Sequence, residues 1–540
     1  MRWLLAIWLV VSVGFLARAQ SLPEAVRERL RSRIEAAGES LPLRVGSTPL
    51  YATVVLPRFY ERRGYWPAWS SAEGLLPRAE ELVAAIRDAE REGLDPGAYH
   101  LRQLEALLAA ARQHPQPALL TDLDLLLTDA FLTYGAHLLA GKVDPVRLDP
   151  EWHANRREAD LAAVLQRALE TDTISASLQA LLPAHPGYAW LRAALARYRA
   201  LAAAGGWPHV STGPALRRGD AGPRVAALRR RLAATGDLPS TAGAGGDFDA
   251  ALEEAVRRFQ RRHGLEADGI VGAATLAALN VPAPQRVRQI ALNLERWRWL
   301  PAHLGRRYVL VNIASFELEV VEEGRRVLHM RVVVGRDYRR TPVFSSTMTY
   351  LVLNPSWHVP PRIAVQDLLP LIQKDPTYLT RQGIRVLQGW GAETRELDPQ
   401  RIDWSRVTAQ RFPYRLRQDP GPQNALGRVK FMFPNPFNVY LHDTPARELF
   451  AKSERTFSSG CIRLEKALEL AFYLLKDHPK WNRDTILEAL ARGKEQTVVL
   501  PQPIPVHLLY WTAWAEADGT VHFRRDIYGR DARLARALWP

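Results

Sequence analysis

The stretch Tyr440-Leu441-His442-Asp443-Thr444-Pro445 carries a histidine, and nineteen positions after it Ser458-Ser459-Gly460-Cys461-Ile462-Arg463 carries the only cysteine of a 540-residue chain. A lone thiol cannot form an internal disulfide, and a small buried hydrophobe is its plainest role. The neighbouring residues favour chemistry instead. A cysteine attacks a carbonyl as its thiolate, so it needs a base or a positive field. His442, at the end of a strand entering a turn, is the candidate base. The spacing of Leu464, Leu468, Ala471 and Leu475 predicts a helix directly after Cys461, which would place the sulfur at a helix N-terminus. Ser459 and Gly460 suit a tight turn with outward backbone N–H groups, the donors an oxyanion needs. Arg463 is placed to hold a substrate carboxylate or to pin the loop.

Working outward, the preceding segment alternates. Val309, Val311 and Ile313, then Phe316, Leu318 and Val320, then Leu328, Met330, Val332 and Val334 predict consecutive strands, with a turn at Glu323-Gly324. Thr347 to Leu353 continues the sheet, and Asn354-Pro355-Ser356-Trp357 ends it. A polar, Pro- and Gly-punctuated insert follows at about 361–427 and reads as a lid. Strand character resumes at Val429 to Phe433 and at Val439 to His442. Residues 501–540, with Tyr510-Trp511-Thr512-Ala513-Trp514, read as a tail that packs on the body.

Upstream the pattern is helical. Residues 20–205 contain apolar runs at helical spacing, closed by Gly93 with Asp95-Pro96, by Gly141 with Asp144-Pro145, and by Gly205-Gly206. Residues 214–282 predict a three-helix module, with stripes at Val225, Leu228 and Leu232 and at Phe248, Leu252, Val256 and Phe259. Its ordered motifs RRGD, VRRFQRRHGL and DGIVGAATLAALN resemble the peptidoglycan-binding domain of cell-wall enzymes. At the chain start, Trp3 to Leu16 is uncharged and Ala17-Arg18-Ala19 is a small-x-small cleavage pattern, so residues 1–19 read as an export signal. The expected location is the periplasm or cell envelope.

The formal net charge is +15, with 47% hydrophobic and 24% charged residues, which describes a globular rather than a disordered chain. A basic surface suits an anionic cell wall or an acidic membrane surface. Export removes nucleic acid from the expected partners. No spacing of metal ligands stands out, so neither a metal nor another cofactor is expected.

The segment from Tyr440 to Arg463 resembles the signature of L,D-transpeptidases with a YkuD-type catalytic domain. The scaffold, binding module, insert and tail further resemble the large YcbB-like branch. The resemblance implies a multidomain α+β chain: a helical N-terminal scaffold, a peptidoglycan-binding-like module, and a mainly-β catalytic domain at 300–500 with an inserted capping subdomain. It implies Cys461 as nucleophile, His442 as base, the Asp443 carbonyl as the group orienting the ring, and amides at Gly460 and Cys461 for the oxyanion. Ser459, Arg463, Ser458, Tyr440 and Trp357 are the candidate substrate-binding residues. Ser459 stands where the commoner signature has His, and Arg463 where many members have Asn, so neither role carries over directly.

The implied reaction joins a tetrapeptide stem, the donor, to the diamino-acid amine of a second stem through a thioester, giving a 3→3 cross-link. Carbapenem-type inhibitors are expected to acylate the same thiol. A Cys-His peptidoglycan hydrolase or L,D-carboxypeptidase, and a non-catalytic wall-binding protein, are the alternatives.

Overall fold

The structure is a computed structural model that describes residues 20–37, 42–153, 156–239 and 245–539; the expected export signal at 1–19 lies outside them. The chain divides into two units. One consists of residues up to 90 together with 94–139 and 158–182, and the other of 91–93, 140–157 and 183–540.

In the first unit, leucine-rich runs fold as helices, among them Leu22–Glu35, Pro77–Arg87, Leu101–Gln113 and Leu161–Thr171. The middle of the long helix that starts at Pro117 is buried on every side, including its acids Asp124 and Asp129. Both acids are satisfied locally. Asp124 accepts from Tyr60 Oη at 2.8 Å and from Ala68 N at 2.8 Å, and burial lifts its carboxyl to about 6. Asp129 accepts from Tyr51 N and Ala52 N and meets His100 Nε2 at 2.8 Å. These carboxylates fasten loops to the central helix.

The second unit holds everything that positions Cys461. It also includes the helix Pro186–Ala203, which the sequence groups with the scaffold. The small module forms as expected: α1 (Pro223–Ala234), α2 (Ala250–Arg262) and α3 (Ala273–Leu279) close over Val225, Leu228, Leu252, Val256 and Phe259. Gln260 fixes its turn, accepting from Gly269 N and donating to Ile270 O. Helix α4 (Ala283–Arg298) then carries charges into the interior. There Arg298 donates to Glu295 Oε2 at 2.8 Å, and Tyr188 donates to Glu92 Oε2 at 2.6 Å, so both buried carboxylates have a partner.

The strands after α4 make a closed ring. They are β1 (Arg307–Asn312), β2 (Glu317–Glu322), β3 (Arg325–Gly335), β4 (Val343–Leu353), β5 (Val429–Met432), β6 (Leu441–His442), β7 (Thr456–Ser458), β8 (Ile462–Leu464) and β9 (Gln496–Leu509). Their order is β5-β6-β8-β3-β2-β1-β9-β4, and β4 pairs with β5 to close it; β7 lies outside the ring against β3. Alternation sends Val309, Val311, Leu318, Val320, Val332, Val334, Leu351, Phe431 and Leu441 into one apolar core. Strand β9 crosses position 500, where the sequence reading ends the catalytic domain, so the ring takes in the first part of the tail. It lies parallel to β1 and antiparallel to β4. The insert has its own four-stranded sheet, from Trp357–His358 to Arg415–Gln418, and its own core around Ile372, Leu379, Val386 and Trp404.

Candidate active site

Leu441 and Ile462 pair in parallel register, and both side chains are fully buried in the ring. Alternation therefore turns Tyr440 and His442 on one strand, and Cys461 and Arg463 on its neighbour, to the opposite face. Ile462 N donates to Tyr440 O at 3.1 Å, which fixes the two segments side by side. The two residues inferred from the motif thus lie on or beside two very short adjacent strands.

His442 is buried, and its Nδ1 lies 2.6 Å from the carbonyl oxygen of Asp443. A carbonyl only accepts, so the proton sits on Nδ1 and Nε2 presents a lone pair. Burial, reinforced by the positive charge of Arg463, pushes the imidazole down to about 3. The resting ring is neutral. Asp443 is itself held: Arg428 N donates to its Oδ2 at 3.0 Å and its own N–H donates to Val429 O at 2.9 Å. Gly427 lies against this carboxylate with φ +60, and a Cβ there would meet Asp443 Oδ2 at 2.5 Å. Only glycine satisfies both the backbone and the contact.

Cys461 is partly buried and unpaired. It does not open a helix, as the sequence spacing predicted. It precedes strand β8, and α5 (Ala467–Leu474) starts only afterwards. A helix dipole therefore does not supply the positive field. The field comes from side chains and from Tyr440. Burial raises the thiol pKa, while hydrogen bonds from the Tyr440 backbone and hydroxyl, then Lys430 and Arg463, draw it down. Resting thiol and resting imidazole are both neutral, and each ion becomes tolerable only next to the other.

Lys430 is a member of this cluster that the sequence reading missed. It faces His442 in the β5–β6 ladder, with Nζ 4.1 Å from the centre of the Tyr440 ring. Burial lowers its pKa, and the Cys461 charge opposes that. The alternation Val429-Lys430-Phe431-Met432, with Val429 and Phe431 fully buried, was the available signal. Arg463 is likewise lowered by burial, and its Nε has no hydrogen-bond partner.

The loop before the thiol is held tightly. Ser458 Oγ donates to Cys461 O at 2.5 Å and accepts from Gly460 N at 3.1 Å. The Gly460 N–H expected at the oxyanion is thus engaged within the loop. The Cys461 N–H and the Tyr440 hydroxyl are the donors near the sulfur that this leaves. Ser459 Oγ accepts from Arg339 at 2.9 Å. Trp357 opens the insert sheet and packs on that sheet's core. Among the described residues no group of three or more His, Cys, Asp or Glu is placed to hold a metal ion, and no helix is long and apolar enough to cross a membrane.

Three family models match the chain: the L,D-transpeptidase catalytic domain at residues 306–487, a scaffold domain at 55–195, and a "Putative peptidoglycan binding domain" at 221–279. A Haemophilus influenzae protein described as "Putative L,D-transpeptidase" is 40% identical over 255 residues, which are 47% of this chain and 50% of that protein. The N-acetylmuramoyl-L-alanine amidase CwlL of Bacillus licheniformis is 41% identical over 69 residues, 13% of this chain and 19% of its own. The chain therefore spans half of the first relative and about a fifth of the second. Among solved structures, an L,D-transpeptidase of Stackebrandtia nassauensis is 14% identical, with 56% of this chain and 96% of that one covered and a TM-score of 0.22.

Proposed function

We propose that this chain, which carries an L,D-transpeptidase catalytic domain at 306–487 beside a scaffold domain and a peptidoglycan-binding domain, forms 3→3 cross-links in peptidoglycan through a thioester on Cys461. The observation that supports it most directly is the parallel pairing of Leu441 with Ile462 and of His442 with Arg463, which brings the segment of Cys461 alongside that of His442, with the ring turned by the Asp443 carbonyl.

His442 Nε2 takes the thiol proton as sulfur adds to the carbonyl carbon between the L-centre of a diamino acid and D-alanine in a tetrapeptide stem. The Cys461 N–H and the Tyr440 hydroxyl receive the oxyanion. The imidazolium returns the proton to the departing amine, D-alanine leaves, and the thioester remains. The side-chain amine of a second stem then attacks. His442 accepts its proton, the C–S bond breaks, and the proton goes back to sulfur. Lys430 and Arg463 steady the negative sulfur and offer charge to a stem carboxylate, while Ser458 keeps the loop shaped.

The strained carbonyl of a carbapenem would be opened by the same sulfur. Residues 1–19 would export the chain to the envelope, where the binding module and the basic surface keep it on the wall.

The test is incubation with purified tetrapeptide muropeptides, followed by mass spectrometry of products and protein. Linked dimers, loss of D-alanine and an acyl adduct on Cys461 are expected, and all three vanish in Cys461→Ala while its melting curve stays unchanged. Trimmed, unlinked stems would instead assign the dyad to L,D-carboxypeptidase hydrolysis. Dimers made by Cys461→Ala at the wild-type level would overturn the reading.

A further inference from the structure

Three successive residues of the nucleophile loop are each held by a different residue of the segment 335–341. Arg336 N donates to Ser458 O at 3.0 Å, Arg339 Nη1 to Ser459 Oγ at 2.9 Å, and Thr341 Oγ1 to Gly460 O at 2.9 Å. The first and third of these holds involve no group of the insert. The second is different, because the same guanidinium is gripped from its other side by the insert. Arg339 pairs with Asp367 through both terminal nitrogens, one contact being 3.0 Å, and Nη2 also donates to Gln366 Oε1 at 2.8 Å. Its side chain is 5% exposed, and its Nε has no partner.

A guanidinium buried this deeply is costly to strip from its carboxylate, so the pair moves as one piece. Asp367 lies in a π-helical turn, Ala364–Leu368, a rare geometry concentrated at functional sites. Holding the insert alone would not need Ser459, and holding the loop alone would not need a charge. Arg339 does both.

We propose that Arg339 is a positioning residue for acylation: it relays the placement of the insert, through Asp367 and Ser459, to the backbone beside Cys461. The proposal rests on Cys461 being the nucleophile. Substrate seated against the insert would then bear on the geometry of the attacking sulfur, without Arg339 touching the reacting atoms.

The experiment uses the full chain and the variants Arg339→Lys, Asp367→Asn, Ser459→Ala, Ser459→Thr and the Asp367→Asn/Ser459→Ala pair. Acylation by a carbapenem is followed by mass spectrometry to give a maximal rate and a half-saturating concentration. Iodoacetamide alkylation and melting temperature are measured alongside. Displacement of a reacting group by about 1 Å costs on the order of 10²-fold, so Arg339→Lys should lose about that in maximal rate, with half-saturation and alkylation unchanged. Asp367→Asn and Ser459→Ala should each slow acylation, the pair should be no slower than the worse single variant, and Ser459→Thr should restore it. Wild-type rates in Arg339→Lys, or losses that multiply in the pair, would overturn the proposal. Should Arg339→Lys melt early, Asp367→Asn, at a half-buried position, and its pair carry the test. A wild-type chain that neither takes the carbapenem nor turns over tetrapeptides sinks the nucleophile reading itself. A normal wild type with unaffected variants sinks only the role of Arg339.

Discussion

His442 faces Lys430 across the β5–β6 ladder, so a base and a cation are neighbours on the same face. Burial above all, then the charge of Arg463 and to a lesser degree that of Lys430, keeps the imidazole from taking up a proton. Its pKa of about 3 means that the folded protein keeps the ring neutral where an exposed histidine, near 6.5, would bind a proton.

The first consequence is a pH-dependent stability. Above about pH 6.5 neither state binds the proton and the group is silent. As pH falls from there toward 3, the unfolded chain takes up a proton that the folded ring refuses, and folding weakens by on the order of 3–5 kcal/mol. The melting temperature of wild type should therefore drop more steeply between pH 7 and pH 4 than that of His442→Gln. Other buried histidines, such as His263 and His507, are shared and cancel in the comparison. Parallel curves would refute the depressed value.

Lys430 should set the reactivity of the thiol. Replacing it with Met removes a positive charge that favours the thiolate, and the midpoint of iodoacetamide alkylation against pH should rise by about one unit. Lys430→Arg should stay near wild type. An unmoved midpoint in the Met variant would leave Tyr440 and Arg463 as the only sources of the field.

Gly427 should resist even alanine. The left-handed backbone costs a side chain about 1–2 kcal/mol, and the added Cβ would drive Asp443 away from the backbone that orients it. Gly427→Ala is expected to lower the melting temperature and to slow acylation at Cys461, although it contacts neither residue of the dyad. Wild-type acylation in a folded Gly427→Ala would show that the Asp443 side chain is dispensable for placing its carbonyl.

Tyr528 reaches the same machinery from the tail. Its hydroxyl donates to Gly335 O at 2.5 Å and receives Thr341 N at 3.4 Å, beside the residues that hold the nucleophile loop. Tyr528→Phe leaves a buried carbonyl without its donor, at about 1–2 kcal/mol, so the melting temperature should fall by roughly 1–3 °C. Alkylation of Cys461 should change with it if the loop loosens. A melting curve identical to wild type would mean that water replaces the hydroxyl.

The dyad was legible because its two residues lie in one contiguous motif, and strands β1 to β4 because their apolar residues alternate without interruption. The helix expected after Cys461 was not formed there, because Leu464 fits both a strand that continues Ile462 and the helical series Leu464, Leu468, Ala471. Pairing with β6 and β3 decides for the strand, and that pairing is invisible locally. Strand β9 hid behind Pro501, Pro503 and Pro505, which argue against a central strand; the break in its pairing with β4 between Val499 and Ile504 accommodates them. Lys430, Arg339 and Asp367 each come from a segment outside the motif, so only the closed ring and its insert reveal what they do.

Residues 496–509 are the staves that shut the ring, parallel to a strand nearly two hundred positions earlier in the chain. Contacts of such long range form late, after the entropy of the intervening loop has been surrendered. Without residues 496–509, β1 and β4 each lose the neighbour that joins them, and the ring that carries both His442 and the segment of Cys461 stays open.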